Sequence, residues 1–456
     1  MKSEDLKKIY FIGIGGIGIS GLARLYHGMG KEIAGSDMVQ SELTDELIKE
    51  GIKVNLTQDG KKLPKDFDLY VYSDAVPEDN PERKKVKELG LKEKEMSYFE
   101  AAAELMKEYE YSIAVSGTHG KTTTSAMLAQ VMIRADLDPT VIIGSQIKQW
   151  GSNARLGKNK KFFIIEACEH KEHMMRLSPK VIILTNIEED HLDYYRDLEH
   201  IEMTFQNYIN NLPKDGVLIK NEDDSESKNL GFDGQIITYG IEEKANVVAK
   251  AIKVKDQVQL FKVGKTEFKL QVPGKYNIYN ALSVIALAKE LGIEEEFIQQ
   301  ALAEFNGTWR RFEILGKYKG AEIISDYAHH PTAVAGLIKA AKEFNPKKRI
   351  FIVFQPHQHS RTKKLFKKFI ECFDGADFIV IQEIWDVLGR EESADQDVSS
   401  QDLVKEIEKR GKYVFYSPDA EKTKQLLDEH LENDNILIIA GAGDIYLLAE
   451  NLCSKQ

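Results

Sequence analysis

Cysteine is scarce in this sequence: Cys168, Cys372 and Cys453 are far apart and odd in number. That excludes a disulfide framework and a zinc site built from paired cysteines, and points to a reducing compartment. Positive charge is in deficit, with 62 Lys and Arg against 73 Asp and Glu and a formal net charge of -11. A broad surface for nucleic acid or an anionic membrane is therefore disfavoured, and any anionic ligand must be held by local groups. No uninterrupted apolar run approaches the ~20 residues of a membrane span. The opening Met-Lys-Ser-Glu-Asp-Leu-Lys-Lys lacks an apolar signal region, so a soluble, unprocessed, cytoplasmic protein is expected. There is no repeat period of a solenoid and no low-complexity tract.

What is present suffices for several cores: 42% hydrophobic residues over 456 positions, enough for roughly three domains. The central feature is Val115-Ser-Gly-Thr-His-Gly-Lys-Thr-Thr-Thr124, which follows the apolar Tyr111-Ser-Ile-Ala114. A strand entering a glycine turn, with Lys and Thr opening a helix, is a shape that cradles nucleotide phosphates. Backbone N–H groups from Gly117, Thr118, His119 and Gly120 converge on an anion, Lys121 adds charge, and Thr122 and Thr123 begin the helix, with the Thr122 hydroxyl available to a magnesium ion. The spacing departs from the generic P-loop, because Val115 stands where that pattern needs glycine. A shorter variant loop is read here; the bland alternative is a plain glycine turn.

Earlier in the chain, Ile9 to Ile14 reads as a strand, followed by the glycines 13, 15, 16 and 18 and a helical stretch through Gly30. Ile33 to Ser36 is a second strand ending at Asp37, and Leu69 to Ser73 a third. This begins a Rossmann-like unit whose glycine turn satisfies a dinucleotide fingerprint literally, yet the same turn holds any pyrophosphate. NAD and a nucleotide-sugar diphosphate both fit. A helix near Tyr98 to Glu110 closes this first domain.

The second domain is expected to alternate helices and strands: helix Thr122 to Ala135, then strands at Val141 to Gly144, Phe162 to Glu166 and Val181 to Ile187, in a largely parallel sheet. An antiparallel meander follows between Asn246 and Val272, then helices Tyr276 to Leu291 and Glu294 to Phe305. After Gly307 the alternation restarts with strand Ala321 to Ser325, helix Thr332 to Phe344, strand Arg349 to Phe354, helix Lys363 to Phe373 and strand Phe378 to Ile381. It ends with strand Asn435 to Ala440 running into Gly441-Ala-Gly-Asp444 and a last helix. The expected class is α/β with three domains over 1–110, 111–307 and 308–456.

Polar signatures stand where buried strands end. Glu166 leaves an apolar strand, a placement suited to a metal ligand beside phosphates. His191, in Glu188-Glu-Asp-His-Leu-Asp193, can offer nitrogen to a metal or a phosphate. Either residue alone could simply be solvated. Asn277 and Asn280 share a helix face, which equally suits a cap. Arg310 and Arg311 could clamp phosphate from a moving domain or form an exposed pair. Asp326, His329 and His330 lie at a ligand-facing edge; neighbouring histidines diverge at a strand end, so these two are not expected to share a metal. The stretch Phe354-Gln-Pro-His357-Gln-His-Ser-Arg361-Thr362 repeats the strand-to-helix geometry with a cation, as a carboxylate-recognising site needs.

Gathered in this order, the stretches Gly13 to Gly21, Gly117 to Thr124, Thr185 to His191, Tyr276 to Asn280, Arg310 to Glu313, Asp326 to Thr332, Phe354 to Thr362 and Gly441 to Ile445 resemble the Mur ligase family. The resemblance implies an N-terminal Rossmann-like domain for UDP, a central P-loop ATPase-type domain and a Rossmann-like C-terminal domain bringing the amino acid. It implies ATP and Mg2+ as cofactors, with UDP-N-acetylmuramate and L-alanine as small-molecule substrates joined through an acyl phosphate. No nucleic-acid or membrane partner is implied, and the protein is expected as monomer or homodimer.

Carried over by resemblance, Lys121 holds the β- and γ-phosphates, and Thr122, Glu166 and His191 bind magnesium. Asn277, Asn280, Asp326 and His330 surround adenine and ribose, and Arg311 reaches the γ-phosphate. The UDP substrate falls to Gly15, Gly16, Ile17, Gly18, Ser36, Asp37 and Ser73, and alanine to His357 and Arg361. Lys121, His191 and Arg311 form the expected catalytic set.

Three positions depart from or specify the pattern. Cys168 replaces an acidic residue after Glu166, Gln358 replaces an arginine after the Pro-His pair, and Gln206 stands near where many relatives carry a carbamylated lysine, which agrees with the alanine-adding branch. The alternatives are a relative attaching a ready-made peptide in wall recycling and, from another class, an NAD-dependent oxidoreductase using Gly13 to Gly18.

Overall fold

The computed structural model describes residues 2–386, 395 and 397–453. Its strands fall into three sheets.

The first sheet is wholly parallel, in the spatial order Lys53–Asn55, Glu32–Ser36, Lys8–Ile12, Leu69–Tyr72 and Glu95–Ser97. Lys8–Ile12 lies at its centre and is buried over Ile9 to Ile12, as expected of a strand covered on both faces. The order reverses on either side of it, which opens a crevice beyond the strand ends. The strand stops two residues earlier than its apolar run suggests, because Gly13 turns the backbone to φ +78°. Helix Ile17–Gly28 follows.

The second sheet has ten strands, with parallel Tyr111–Ser116 between Phe162–Ala167 and Val181–Leu184. Val217–Asn221, Gln235–Gly240 and the start of Val247–Lys255 continue it in parallel. The meander is present as Val247–Lys255, Val258–Val263 and Thr266–Leu270, antiparallel and turned at Asp256, Gln257 and Gly264, all with positive φ. At the other edge Thr140–Ile147 is longer than expected and pairs antiparallel with Ser152–Arg155, a strand with no apolar alternation to announce it. Helices Lys121–Arg134 and Lys275–Glu290 cover one face, burying Met127, Leu128, Val131, Leu282 and Ile285 in one core. On the opposite face a single apolar core runs from Phe11 and Leu22 of the first domain to Phe163 and Ile165 of the second. The two domains are thereby packed, with a Cβ at Gly21 3.2 Å from the Ile142 side chain.

The third sheet runs Glu313–Tyr318, Ala321–Asp326, Ile436–Ala440, Ile350–Phe354, Phe378–Gln382 and Val414–Ser417. Only the first pair is antiparallel. Along Ile350–Phe354 the residues alternate between two cores, Ile350, Ile352 and Phe354 on one side and Phe351 and Val353 on the other, the period of two that a doubly covered strand requires. The helix expected over Lys363 to Phe373 is broken into His359–Lys364 and Phe366–Glu371. Leu365 leaves the helical region there, at φ -103° and ψ 14°.

Candidate active site

Gly15, Gly16, Ile17 and Gly18 form the turn at the carboxyl end of Lys8–Ile12. Gly16 caps the following helix without a side-chain bond, leaving first-turn N–H groups for an anion. The Gly15 amide, however, donates to Asp37 Oδ2 at 2.9 Å, so Asp37 occupies one donor expected to face a ligand. Ser73 borders the turn, its Oγ 3.6 Å from where a Gly16 Cβ would stand. Ser36 is brought no closer through its hydroxyl, which is buried and bonded to Glu82 inside the domain.

The phosphate loop is braced by the neighbouring strand end. Thr118 N donates to the Asn186 carbonyl at 2.9 Å, His119 N to Asn186 Oδ1 at 3.0 Å, and Thr185 Oγ1 to the His119 carbonyl at 2.6 Å. Gly117 at φ +126° and Gly120 at φ +84° have conformations that L side chains rarely adopt. A Cβ at Gly117 would stand 2.8 Å from the Asn186 carbonyl oxygen. Gly117→Ala is therefore expected to cost about 1–3 kcal/mol in backbone strain before any clash is counted. A lower melting temperature would register it; an unchanged melt would contradict the bracing described.

Lys121 Nζ lies 2.8 Å from Glu169 Oε2 and 3.1 Å from the Thr118 carbonyl. Burial works against its charge, but Glu169, with Cys168 and Glu166 nearby, outweighs this and the pKa is raised. Thr122 Oγ1 donates to Glu166 Oε2 at 3.1 Å, and the Gly144 amide holds the other carboxylate oxygen at 2.6 Å. Burial raises the Glu166 pKa against the opposing pull of that amide, Lys121 and Arg311. A hydroxyl and a carboxylate oxygen beside the phosphate loop are hard donors, which fits magnesium. His191 joins through a different neighbour: its Nε2 lies 3.8 Å from Glu169 Oε1, and its ring stands 4.5 Å from that of His170. Burial lowers its pKa, favouring the neutral ring that a metal ligand needs. Glu169, which links Lys121 to His191, ends the Glu166-Ala-Cys-Glu169 run, and nothing in that local pattern assigns it these pairings.

Around the loop, Asn280 Nδ2 donates to Asn277 Oδ1 at 3.1 Å, and Asn280 Oδ1 is the atom a Gly120 Cβ would meet. The two arginines separate in role. Arg310 is buried and bonds the Gly441 and Gly443 carbonyls, whereas the Arg311 guanidinium sits 4.9 Å from the centre of the Tyr327 ring, within electrostatic reach of Glu166 and Asp326. Asp326 is less available than expected. Its two oxygens accept from the amides of Phe312 and Ala328, each at 2.7 Å.

The third domain meets the second along Glu188 to Asp193. His330 Nε2 lies 3.0 Å from the Glu189 carbonyl. Glu188 bonds His119 and Thr332; burial opposes its charge, but the His119 bond and the nearby His330 hold its pKa at about 2. Arg361 Nη2 lies 2.9 Å from Asp190 Oδ1, and its Nη1 3.0 Å from His357 Nδ1. Burial alone would raise the Asp190 pKa, yet Arg361, with His191 behind it, keeps it well below the ordinary carboxylate range. His357 stacks on Trp385 with ring centres 5.3 Å apart. His357 and Arg361 thus meet as expected, with the guanidinium charge already partnered by Asp190.

Comparison with known proteins follows the same three-part division. The Mur ligase family, catalytic domain model matches residues 8–110, the Mur ligase middle domain 115–288, and the Mur ligase, glutamate ligase domain 310–443. The UDP-N-acetylmuramate–L-alanine ligase of Caldanaerobacter subterraneus subsp. tengcongensis is 39% identical, covering 99% of this chain and 98% of its own. That of Clostridium kluyveri is 40% identical, covering 97% of each. The crystal structure of UDP-N-acetylmuramate-alanine ligase from Thermotoga maritima superposes with a TM-score of 0.82 at 28% identity, covering 98% of both chains. A murein peptide ligase from Psychrobacter arcticus shares the fold, with a TM-score of 0.71 at 21% identity and 98% coverage of both. With three domain models matched in order and relatives near 40% identity over almost its whole length, this chain belongs to the Mur ligase family.

Proposed function

We propose that the chain is an ATP-dependent ligase that joins the lactyl carboxylate of UDP-N-acetylmuramate to L-alanine in peptidoglycan precursor synthesis. The observation that carries this reading is the grouping of Lys121 with the Thr122–Glu166 pair, approached from the next domain by Arg311 and by the His357–Arg361 turn. The division at residues 110 and 307 then separates the acid, ATP and amine between three domains.

In this reading the helix Ile17–Gly28 and its glycine turn take the UDP diphosphate, and the loop from Gly117 to Thr123 takes ATP. Asn277, Asn280 and His330 border the nucleotide, and Asp326 contributes by fixing the Phe312 and Ala328 amides. The lactyl carboxylate attacks the γ-phosphorus, the bond from that phosphorus to the β,γ-bridging oxygen breaks and ADP leaves, with Lys121 and Arg311 offsetting the repulsion between two anions. Thr122 and Glu166 would hold magnesium, with His191 as a further ligand by resemblance to the family, and the ion would supply further charge neutralisation. The product is an acyl phosphate. The alanine amine, presented with its carboxylate on Arg361, attacks the activated carbonyl, and phosphate leaves. Holding the amine and the acyl phosphate together between the domains gives the second step the effective concentration it needs.

The test is phosphate release from ATP with UDP-N-acetylmuramate, compared across L-alanine, glycine, L-serine and a tripeptide. Release is expected to be greatest with L-alanine. Release with the tripeptide alone would select a peptide-attaching ligase, and none with any amine would remove the ligase reading. No helix among the described residues is long and apolar enough to cross a membrane; a cytoplasmic site of action, where ATP is at hand, is part of this proposal.

A further inference from the structure

We propose that His119, Glu188 and His330 form a second cation site, for a divalent transition-metal ion of the zinc class, that ties the phosphate loop to the C-terminal domain. Their ligand atoms lie within 4.8 Å of one another. His330 is fully buried, and with Nε2 directed at the Glu189 carbonyl at 3.0 Å its proton belongs on that nitrogen. Nδ1 is then a bare lone pair. It has no hydrogen-bond partner and lies 3.7 Å from Glu188 Oε2, a carboxylate oxygen that also lies 3.1 Å from His119 Nε2. The buried His330 nitrogen is left without a donor opposite a partly exposed carboxylate oxygen, and a cation between them satisfies both.

The dimensions suit such an ion. Ligands in a tetrahedron with bonds of ~2.0 Å stand about 3.3 Å apart; the distances to Glu188 Oε2 are 3.1 Å from His119 Nε2 and 3.7 Å from His330 Nδ1. In the metal-free protein His119 Nε2 bonds Glu188 Oε2; to ligate the ion, His119 moves its proton to Nδ1, and two metal bonds replace that hydrogen bond. The outer groups are also in place: Thr332 Oγ1 bonds the second Glu188 oxygen, and the Glu189 carbonyl fixes the His330 ring, the partners that orient metal ligands in established sites. Two imidazoles and one carboxylate favour zinc, cobalt or nickel over magnesium, unlike the oxygen pair Thr122–Glu166. Three protein ligands leave the fourth place to water or a phosphate oxygen. Because His119 and His330 belong to different domains, the ion holds them together.

The experiment is a titration of the full chain with Co2+, without nucleotide or other substrates, following the intense visible bands of four-coordinate cobalt. One equivalent is expected to produce them, and excess Zn2+ to remove them. Glu188→Gln and His330→Gln are expected to weaken the binding at least ~100-fold and Thr332→Val about tenfold, while Glu166→Gln leaves the bands intact. Circular dichroism checks folding, and where a ligand variant does not fold, Thr332→Val, which keeps all three ligands, decides. Absence of four-coordinate bands in the unaltered protein overturns the site, as does unchanged affinity in the folded variants or loss of the bands in Glu166→Gln. None of these readouts depends on ligase activity, so failure of the ligase reading leaves this result independent.

Discussion

Lys121→Ala is expected to reduce turnover by about a thousandfold or more, the scale on which positioned cations act at transferring phosphoryl groups. The same substitution has a structural effect that the loop sequence alone does not disclose. Lys121 is the partner of Glu169, and the two side chains are 16% and 4% exposed. Removing the lysine strands a buried carboxylate, at about 3–5 kcal/mol for breaking such a pair. Loss of activity in the single variant therefore mixes chemistry with folding. Lys121→Ala combined with Glu169→Gln separates them: the melting temperature is expected to recover most of its loss, because the stranded charge is gone, while turnover stays low. Recovery of activity in the double variant would mean that Lys121 serves the fold and not the phosphates.

The contrast between Lys121 and its partner shows what a linear reading captures. Tyr111–Ser116, Phe162–Ala167, Val181–Leu184 and Ile350–Phe354 are buried apolar runs ending in polar signatures. A parallel sheet places such endings along one edge, so Lys121, Glu166, His191 and His357 could be located from order and periodicity. The partners were not accessible in that way. Asp190 and Arg361 are 171 positions apart and meet only because two domains are apposed. Asn186 braces the phosphate loop through its backbone and its side chain, a role that depends on strand adjacency. Asp326 stands at a strand end, the ligand-facing edge expected from sequence, yet its oxygens are taken by two local amides, and burial raises its pKa. Ser36 likewise points its hydroxyl inward, to Glu82, a residue with no sequence signal connecting the two. Element types follow from local pattern; pairings of charged groups follow from tertiary closure.

Arg361→Ala is expected to separate the two halves of the proposed reaction. If the guanidinium receives the alanine carboxylate, its loss should cost about 2–4 kcal/mol, roughly 30- to 1000-fold in kcat/KM for alanine. Formation of the acyl phosphate needs no amine, so trapping of the activated carboxyl by hydroxylamine should continue near the unaltered rate. Arg361→Lys is not expected to restore alanine use. The side chain works as a fork, with Nε and Nη2 on Asp190 and Nη1 on His357 and Gln358, and an ammonium cannot reproduce those directions. The buried Asp190 again calls for a compensating change, since truncating Arg361 leaves it without its main counter-charge. In Arg361→Ala combined with Asp190→Asn, the melting temperature should rise from that of the single variant while the alanine KM stays high. Parallel loss of hydroxylamine trapping would show that Arg361 acts by holding the domains together. An unchanged alanine KM would remove it from amine recognition altogether.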